Sequence, residues 1–399
     1  MSLISSIKSR AKDINPYLVN TRHHLHANPE LSFQEFETSQ FIKSELSRIG
    51  IEFTSIADTG VVALIEGKNP SKSTMALRGD IDALPILEAN QVDYKSKNKG
   101  VMHACGHDVH TTCLLGAAKI LNDLKSEFEG TIKLIFQPGE EKLPGGASLM
   151  IKEGVLENPA PRSIIGQHVM PLIPVGKVGF RSGMYMASAD EIYITIKGKG
   201  GHAAIPEMNI DPVLIASQVI VSLQQIVSRN ASPKIPSVLS FGKVIGEGAT
   251  NVIPDEVYLE GTFRTFDEEW RSEAHQKITS ITQGIARGMG GDCDVDIKKG
   301  YPFLKNHPEV TARAKKSAIE YLGADNVVDL DIWMAAEDFA WYSQETDACF
   351  YRLGTRNEEK GITSGVHTPT FDIDEGALEI GAGLLSWIAV CSLKDHGNP

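Results

Sequence analysis

The sequence predicts an α/β protein of two domains, in which a smaller domain of βαββαβ order is inserted into a larger one. Three observations carry this. The 399 residues exceed one average domain and leave ample material for a buried core. Up to about residue 185, short apolar runs alternate with amphipathic stretches, as strands alternate with helices in α/β folds. From Met186 onward the pattern changes: Ile192, Ile194 and Ile196 alternate with Tyr193, Thr195 and Lys197, as in a strand with one solvated face.

Element by element, the first fifty residues read as helices broken at Asn28-Pro29-Glu30-Leu31. Ser32-Phe33-Gln34-Glu35 reads as a capping box for a second helix that ends near Gly50. Candidate strands follow at Val61 to Ile65, Met75 to Leu77, Thr131 to Phe136 and Ile164 to Gly166, with a helix from Val109 to Leu124 between two of them. Asp80 and Asp82 follow the second strand, Glu140 and Glu141 the third, and His168 the fourth. Open α/β sheets place their ligands at that end of the strands. In the inserted domain, residues 186–300, the Ile192 strand leads to a helix from Pro212 to about Arg229 and strands at Val238 to Ile245 and Val257 to Arg264. A helix from about Asp267 to Met289 and a strand from Cys293 to Lys298 complete a split unit with both helices on one face of its sheet. The larger domain, residues 1–185 plus 301–399, resumes with a helix near His307, contributes His367 and ends in an apolar-faced helix from Asp374 to about Leu393.

Charge and composition narrow the function. The formal net charge is −12, and no Lys/Arg cluster stands ready to neutralise a run of phosphates, so nucleic acid is not an expected partner. The opening Met1-Ser2-Leu3-Ile4-Ser5-Ser6-Ile7-Lys8 lacks the apolar stretch of a secretory signal, and no segment reads as long enough to span a bilayer; a cytoplasmic protein without a membrane partner is expected. The five cysteines, at 105, 113, 293, 349 and 391, are odd in number and never spaced as Cys-x-x-Cys, which argues against a disulfide framework. Four of them read as buried small apolar residues, leaving Cys105 to be explained.

Cys105 sits in Met102-His103-Ala104-Cys105-Gly106-His107-Asp108, and Gln137-Pro138-Gly139-Glu140-Glu141 follows about thirty residues on. A thiolate and a neutral imidazole two residues apart suit zinc or a neighbouring divalent transition metal. Of the adjacent carboxylates, one can bind metal while the other stays free to move protons, because neighbouring side chains point in different directions.

These residues resemble the M20 metallopeptidase and amidohydrolase family, in the branch of hippurate hydrolase, auxin-conjugate hydrolases and N-acetyldiaminopimelate deacetylase. The resemblance covers nearly the whole chain. It runs through Arg22-His23-His24-Leu25-His26, Pro29-Glu30-Leu31-Ser32, Leu77-Arg78-Gly79-Asp80-Ile81-Asp82-Ala83-Leu84-Pro85, the Cys105 and Glu140 motifs, Gly201-His202-Ala203-Ala204, Asn251-Val252-Ile253-Pro254, Glu337-Asp338-Phe339 and His367-Thr368-Pro369. It implies a mixed-sheet, zinc-peptidase-like catalytic domain and a ferredoxin-like inserted domain that serves as lid and dimerisation surface. It implies two divalent ions per subunit (zinc, manganese, nickel or cobalt) on Cys105, His107, Glu141, His168 and His367, with Glu140 as proton carrier. The substrate class it implies is a small N-acyl amino acid, hippurate or N-acetyl type, or a peptide.

The chemistry accounts for those residue types. Two divalent ions about 3.5–4 Å apart can share a water, lower its pKa and polarise the scissile carbonyl. Glu140 would take the proton and pass it to the departing amine, a shuttle that contributes about 10²–10⁴-fold. Asp82 would fix the tautomer of a liganding imidazole, and Asp80 would either do the same or bind metal. His202 resembles a histidine that reaches the active site across the dimer and stabilises the oxyanion. Asn251 and Arg264 are candidates to hold the substrate carboxylate, Arg264 having a structural ion pair as its alternative. Blander expectations cover the rest. His103 and His110 read as supporting groups, His275, His307 and His396 as surface residues, and Glu337 with Asp338 as a helix cap. Gly139, where relatives often have Ala, is expected to loosen its turn, and Glu207 stands where many relatives carry a second His. The alternatives are a dipeptidase or aminoacylase-like exopeptidase of the same fold, a metal-free amidase with Cys105 as nucleophile and His107 as base, and a non-catalytic metal-binding protein.

Overall fold

The computed structural model describes residues 2–394. In chain order the helices and strands are α1 (Leu3–Asp13), α2 (Asn15–Ala27), α3 (Phe36–Arg48), β1 (Phe53–Ile56), β2 (Gly60–Glu66), β3 (Thr74–Asp80), α4 (His107–Asp123), β4 (Thr131–Gln137), α5 (Gly146–Lys152), β5 (Ser163–Pro174), β6 (Val178–Phe180) and β7 (Gly183–Met186). They continue with β8 (Asp190–Lys197), β9 (Gly201–His202), α6 (Pro212–Leu223), β10 (Ser237–Ile245), β11 (Val252–Ile253), β12 (Glu256–Thr265), α7 (Glu268–Gly288) and β13 (Asp292–Lys299). The last are β14 (Leu304–Asn306), α8 (Pro308–Leu322), β15 (Val327–Asp329), α9 (Ala340–Glu345), β16 (Asp347–Arg356) and α10 (Gly376–Lys394). They form two compact units: the first runs to Tyr185 and resumes over Lys305–Ile332 and from Asp338, and the second comprises Met186–Leu304 with Trp333–Glu337. Residues 333–337, expected in the larger domain, join the second unit because Met186 bridges to Trp333 and the Ala187 N–H donates to the Trp333 and Ala335 carbonyls.

The first unit is built on an eight-stranded mixed sheet of order β1-β2-β4-β3-β5-β16-β6-β15. Its centre, β4-β3-β5-β16, is parallel throughout. These strands are buried on both faces, so they read as continuous apolar runs and not as alternating ones. Helix α10 corrects an expectation. By length and composition it could cross a bilayer, yet most of it is buried inside the unit. It is apolar all round because it packs against α1, α4 and α8, which a single apolar face would not require.

The second unit is an antiparallel sheet of order β10-β12-β8-β13 with α6 and α7 packed on it, the element order being β8-α6-β10-β12-α7-β13. Its own core joins Ile192, Ile194 and Ile196 of β8 to Ile215 and Val219 of α6 and Ile278 of α7. Arg271 holds its base: the guanidinium is fully buried, pairs with Asp190 at 2.5 Å and also donates to the Ala189 and Gly300 carbonyls. His275 donates to the same Asp190 at 2.7 Å, so it belongs to this cluster and is not the plain surface residue expected.

Candidate metal centre

Parallel strands deliver the site. Asp80 is the last residue of β3, paired in register with Gln137 at the end of β4, and His168 of β5 pairs with Arg352 of β16. His168 thus lies within a strand, not after one: β5 runs on to Pro174 because β16 continues beside it. The loop from Ile81 to Gly106 returns the chain to the same edge, where α4 begins at His107. Gly106 takes φ +82°, and a Cβ there would lie 2.5 Å from a Val169 methyl, so only glycine brings Cys105 and His107 this close to β5.

The five expected donors converge. Ligand atoms of Cys105, His107 and His168 lie within 4.8 Å of one another, as do those of Cys105, Glu141 and His367, so the two sets share Cys105. Cys105 Sγ is 3.4 Å from His168 Nε2, and His367 Nε2 is 3.2 Å from Glu141 Oε1. Each imidazole is oriented from behind. His107 Nδ1 donates to Asp82 Oδ1 at 3.1 Å and His168 Nδ1 to the Val169 carbonyl at 2.7 Å, which leaves both Nε2 lone pairs facing the cluster. His367 is held through its backbone, its N–H donating to the Ala104 carbonyl while the residue takes φ +61°.

These residues fit a pair of divalent cations. Among the described residues, His107 Nε2 is buried without a hydrogen-bond partner, an arrangement that native interiors rarely tolerate unless another ligand completes it. The electrostatics agree. Burial depresses the pKa of His107, but Asp80, Asp82 and Glu141 raise it to about 10, so the carboxylates demand a cation at Nε2, a proton or a metal. Burial, with Arg352 and His110 nearby, pushes His168 well below its ordinary value and keeps it a neutral donor. Asp82 is fully buried, and the hydrogen bond from His107 together with those from Ser32 and the Glu141 N–H outweighs burial and keeps it ionised.

Behind the donors lies a buried polar scaffold that the sequence reading only partly foresaw. Asp80 accepts from Arg78 Nη1 and His110 Nδ1, both at 2.6 Å. His110 Nε2 in turn accepts from the Val169 N–H at 2.9 Å, so His110 is neutral and both its nitrogens are engaged. These bonds tie β3, α4 and β5 together, and Asp80 Oδ2 also lies 3.6 Å from His107 Nε2. Glu140 is buried, with Oε1 accepting from the Asp338 N–H at 3.2 Å.

Several expectations need correction. Ser32 and Glu35 form no capping box: Ser32 donates to Asp82, while Glu35 accepts from Thr59 and from the Gly139 N–H. The first turn of α3 is capped by Glu30, which accepts from the Glu37 and Thr38 N–H groups. The carboxylate of Asp338, expected to cap α9, faces inward to Arg78, Gln137 and the Ala147 N–H. Gly139 does not loosen its turn, since it takes φ +54° beneath the Phe33 ring. Cys391 is only partly buried, unlike Cys113, Cys293 and Cys349. His396 lies outside the described residues. Arg78 and Gln137 were overlooked; polar side chains inside two apolar strands were the signal available.

His202, Asn251 and Arg264 belong to the second unit. His202 and Val252 pair across the short β9-β11 ladder, and the Asn251 carbonyl accepts from the Ala203 N–H, so His202 and Asn251 are exposed neighbours. His202 Nδ1 accepts from the Ala204 N–H at 3.1 Å, which puts the proton of the neutral ring on Nε2. Arg264 sits half-buried on β12 with no ion pair or side-chain hydrogen bond among the described residues. Burial lowers its pKa, and Asp190 and Glu191 act against that.

The chain is similar to known proteins over nearly its whole length. The chain is 41% identical over 94% of its length to N-acetyl-L-cysteine deacetylase of Bacillus subtilis, covering 89% of that protein. It is 39% identical over 98% of its length to the Arabidopsis thaliana IAA-amino acid hydrolase ILR1-like 5, covering 90% of it. The crystal structure of the Bacillus subtilis YXEP protein, a dinuclear metal-binding peptidase, superposes with a TM-score of 0.82 at 36% identity, covering 96% of this chain and 99% of that one. Residues 76–389, which hold most of β3 and all five converging donors, match the model of peptidase family M20/M25/M40, and the chain belongs to that family of hydrolases acting on amide bonds.

Proposed function

We propose that the protein hydrolyses N-acyl amino acids to a carboxylic acid and a free amino acid, with Cys105, His107, Glu141, His168 and His367 holding two divalent ions and Glu140 carrying the proton. The observation that carries this reading is the convergence of the five donors around Cys105 with Glu140 beside them. When bound, such ions lower the pKa of a water and polarise the scissile carbonyl. Glu140 then accepts the proton of the attacking water and delivers it to the departing nitrogen, the role a buried carboxylate next to the ligand Glu141 can serve. The relatives named for N-acetylcysteine and for auxin–amino acid conjugates support an acylated amino acid as substrate. Hydrolysis of N-acetyl, N-benzoyl and N-indoleacetyl amino acids by protein reconstituted with zinc, manganese, nickel or cobalt identifies the acyl group and the ion. In that assay Glu140→Gln is expected to keep both metals by elemental analysis and to lose about 10²–10⁴-fold in kcat. Undiminished turnover would remove Glu140 from the mechanism.

The exposed Nε2–H of His202 suits an oxyanion donor, and the unpaired guanidinium of Arg264, with Asn251, suits a substrate carboxylate. The protein is proposed to work as a cytoplasmic homodimer through the second unit, where α6 exposes Val213, Leu214 and Val221 and edge strand β10 exposes Val244 and Ile245. Mixing inactive His202→Ala and Glu140→Gln proteins restores activity if His202 serves the partner's site. Absence of rescue despite proven subunit exchange removes that role.

One contact favours a form of the metal-free alternative in which His168, and not His107 as expected, serves as the base: Cys105 Sγ lies 3.4 Å from His168 Nε2, a thiol beside a neutral imidazole. A thiol amidase of this kind would survive exhaustive chelation and die with iodoacetamide. It leaves Glu141 and His367 without a task, and the metal reading predicts loss of activity on chelation.

A further inference from the structure

The carboxylate of Asp338 collects donors from three directions in the interior of the first unit. Arg78 Nη2 reaches Oδ1 at 2.7 Å, Gln137 Nε2 lies 2.8 Å from both oxygens, and the Ala147 N–H donates to Oδ2 at 2.9 Å. Asp338, Arg78 and Gln137 are all at most 1% exposed. Arg78 is itself fixed, because its Nε donates to Gln137 Oε1 at 2.8 Å and its Nη1 to Asp80 Oδ2 at 2.6 Å. The result is a closed set of charge-assisted hydrogen bonds joining the end of β3, the end of β4, the start of α5 and the chain just before α9. Such a set, with every member satisfied, holds its parts rigidly. From this set the Asp338 backbone N–H reaches the site, donating to Glu140 Oε1 at 3.2 Å.

We infer that Asp338 is a positioning residue for the proton carrier: its buried carboxylate anchors the backbone amide that holds Glu140 in place for proton transfer. The inference rests on the reading of Glu140 given above. It explains why Asp338 faces inward instead of capping α9, and why an arginine and a glutamine occupy apolar strands. The turn that carries Glu140 is tied through its backbone to Glu35 and Asp82, and the Asp338 amide, anchored from the α9 side, bears on the Glu140 carboxylate itself and restricts its rotation.

The test is a double-mutant cycle on kcat with Asp338→Asn and Glu140→Gln. Asp338→Asn keeps the shape but turns one acceptor into a donor facing Arg78, Gln137 or the Ala147 N–H. Misplacing a catalytic group by about 1 Å costs on the order of 10²-fold, so Asp338→Asn is expected to lower kcat by about that factor. KM should stay within about twofold and two metals should be retained, because no contact proposed for substrate or metal is touched. In the Glu140→Gln background the same substitution should change the residual kcat by less than about threefold, the signature of two residues acting through one step. A full further loss in that background overturns the proposal, as does normal kcat for Asp338→Asn alone. Normal kcat for Glu140→Gln alone would instead overturn the parent reading of Glu140. Should Asp338→Asn fail to fold, Gln137→Met carries the cycle. It is expected to lower kcat about tenfold with KM unchanged and to have no effect beside Glu140→Gln, and an unaltered kcat overturns the inference.

Discussion

At Gly139 a backbone conformation and an aromatic ring compete for the same space. The residue takes φ +54°, a region in which an L side chain is strained, and a Cβ placed there would lie 2.3 Å from the Phe33 ring. Its N–H donates to Glu35 Oε1 at 2.8 Å, which ties the turn carrying Glu140 and Glu141 to the chain before α3. Phe33 itself takes φ +65°, so neither partner yields without cost. Gly139→Ala should therefore destabilise the protein by about 1–2 kcal/mol from the backbone alone, with a further loss as the ring moves. It should lower kcat as well, because the carboxylate pair sits on the displaced turn. Thermal melts and kinetics of Gly139→Ala, and of Gly139→Ala with Phe33→Ala, check this. The second substitution should restore part of the activity by making room for the methyl, and a single variant indistinguishable from its parent would refute the argument.

Asp82 joins three elements at one carboxylate: His107 at the start of α4, Ser32 before α3, and the Glu141 N–H after β4. Asp82→Asn removes the negative charge and leaves one acceptor oxygen for donors that now meet two, so an amide NH2 must face either His107 Nδ1 or the Ser32 and Glu141 donors; outer partners of this kind typically carry about 10–100-fold of metal affinity. Competition titration against a chelator is expected to show that loss for Asp82→Asn, with secondary structure by circular dichroism unchanged; parent-like affinity would deny Asp82 its orienting role. The sequence made this site legible wherever chemistry is local. Cys105 with His107, and Glu140 with Glu141, are short patterns whose spacing alone suggests joint action. Legibility failed where a distant partner decides. Ser32 and Glu35 match a capping box in sequence, but Asp82, Thr59 and Gly139 offer better partners once the chain folds. Strand β16 went unread because Arg352 interrupts its apolar run, and that buried guanidinium finds partners from elsewhere in the chain, Tyr185 among them, whose hydroxyl accepts its Nε–H.

The two units share one chain but not one core. Leu77, Val109 and Leu114 belong to the first apolar cluster and Ile194, Val219 and Ile278 to the second. All five converging donors lie in the first unit, and the unpartnered His107 Nε2, together with the carboxylates that raise the pKa of His107, makes the cation-free site electrostatically costly. Binding of divalent ions should therefore stabilise the first unit selectively. At free metal about 100 times Kd, one ion contributes about 2.7 kcal/mol, equivalent to about a 10²-fold slowing of exchange through any opening that releases it. Hydrogen exchange by mass spectrometry, with and without zinc, tests this region by region. Amides of β3, β5 and the first turns of α4 should slow strongly, whereas those of α6 and α7, which pack on a separate sheet, should exchange as before. Equal slowing of α6 and α7 would mean that the second unit opens only together with the first, and the separateness of the two cores would then have no counterpart in stability.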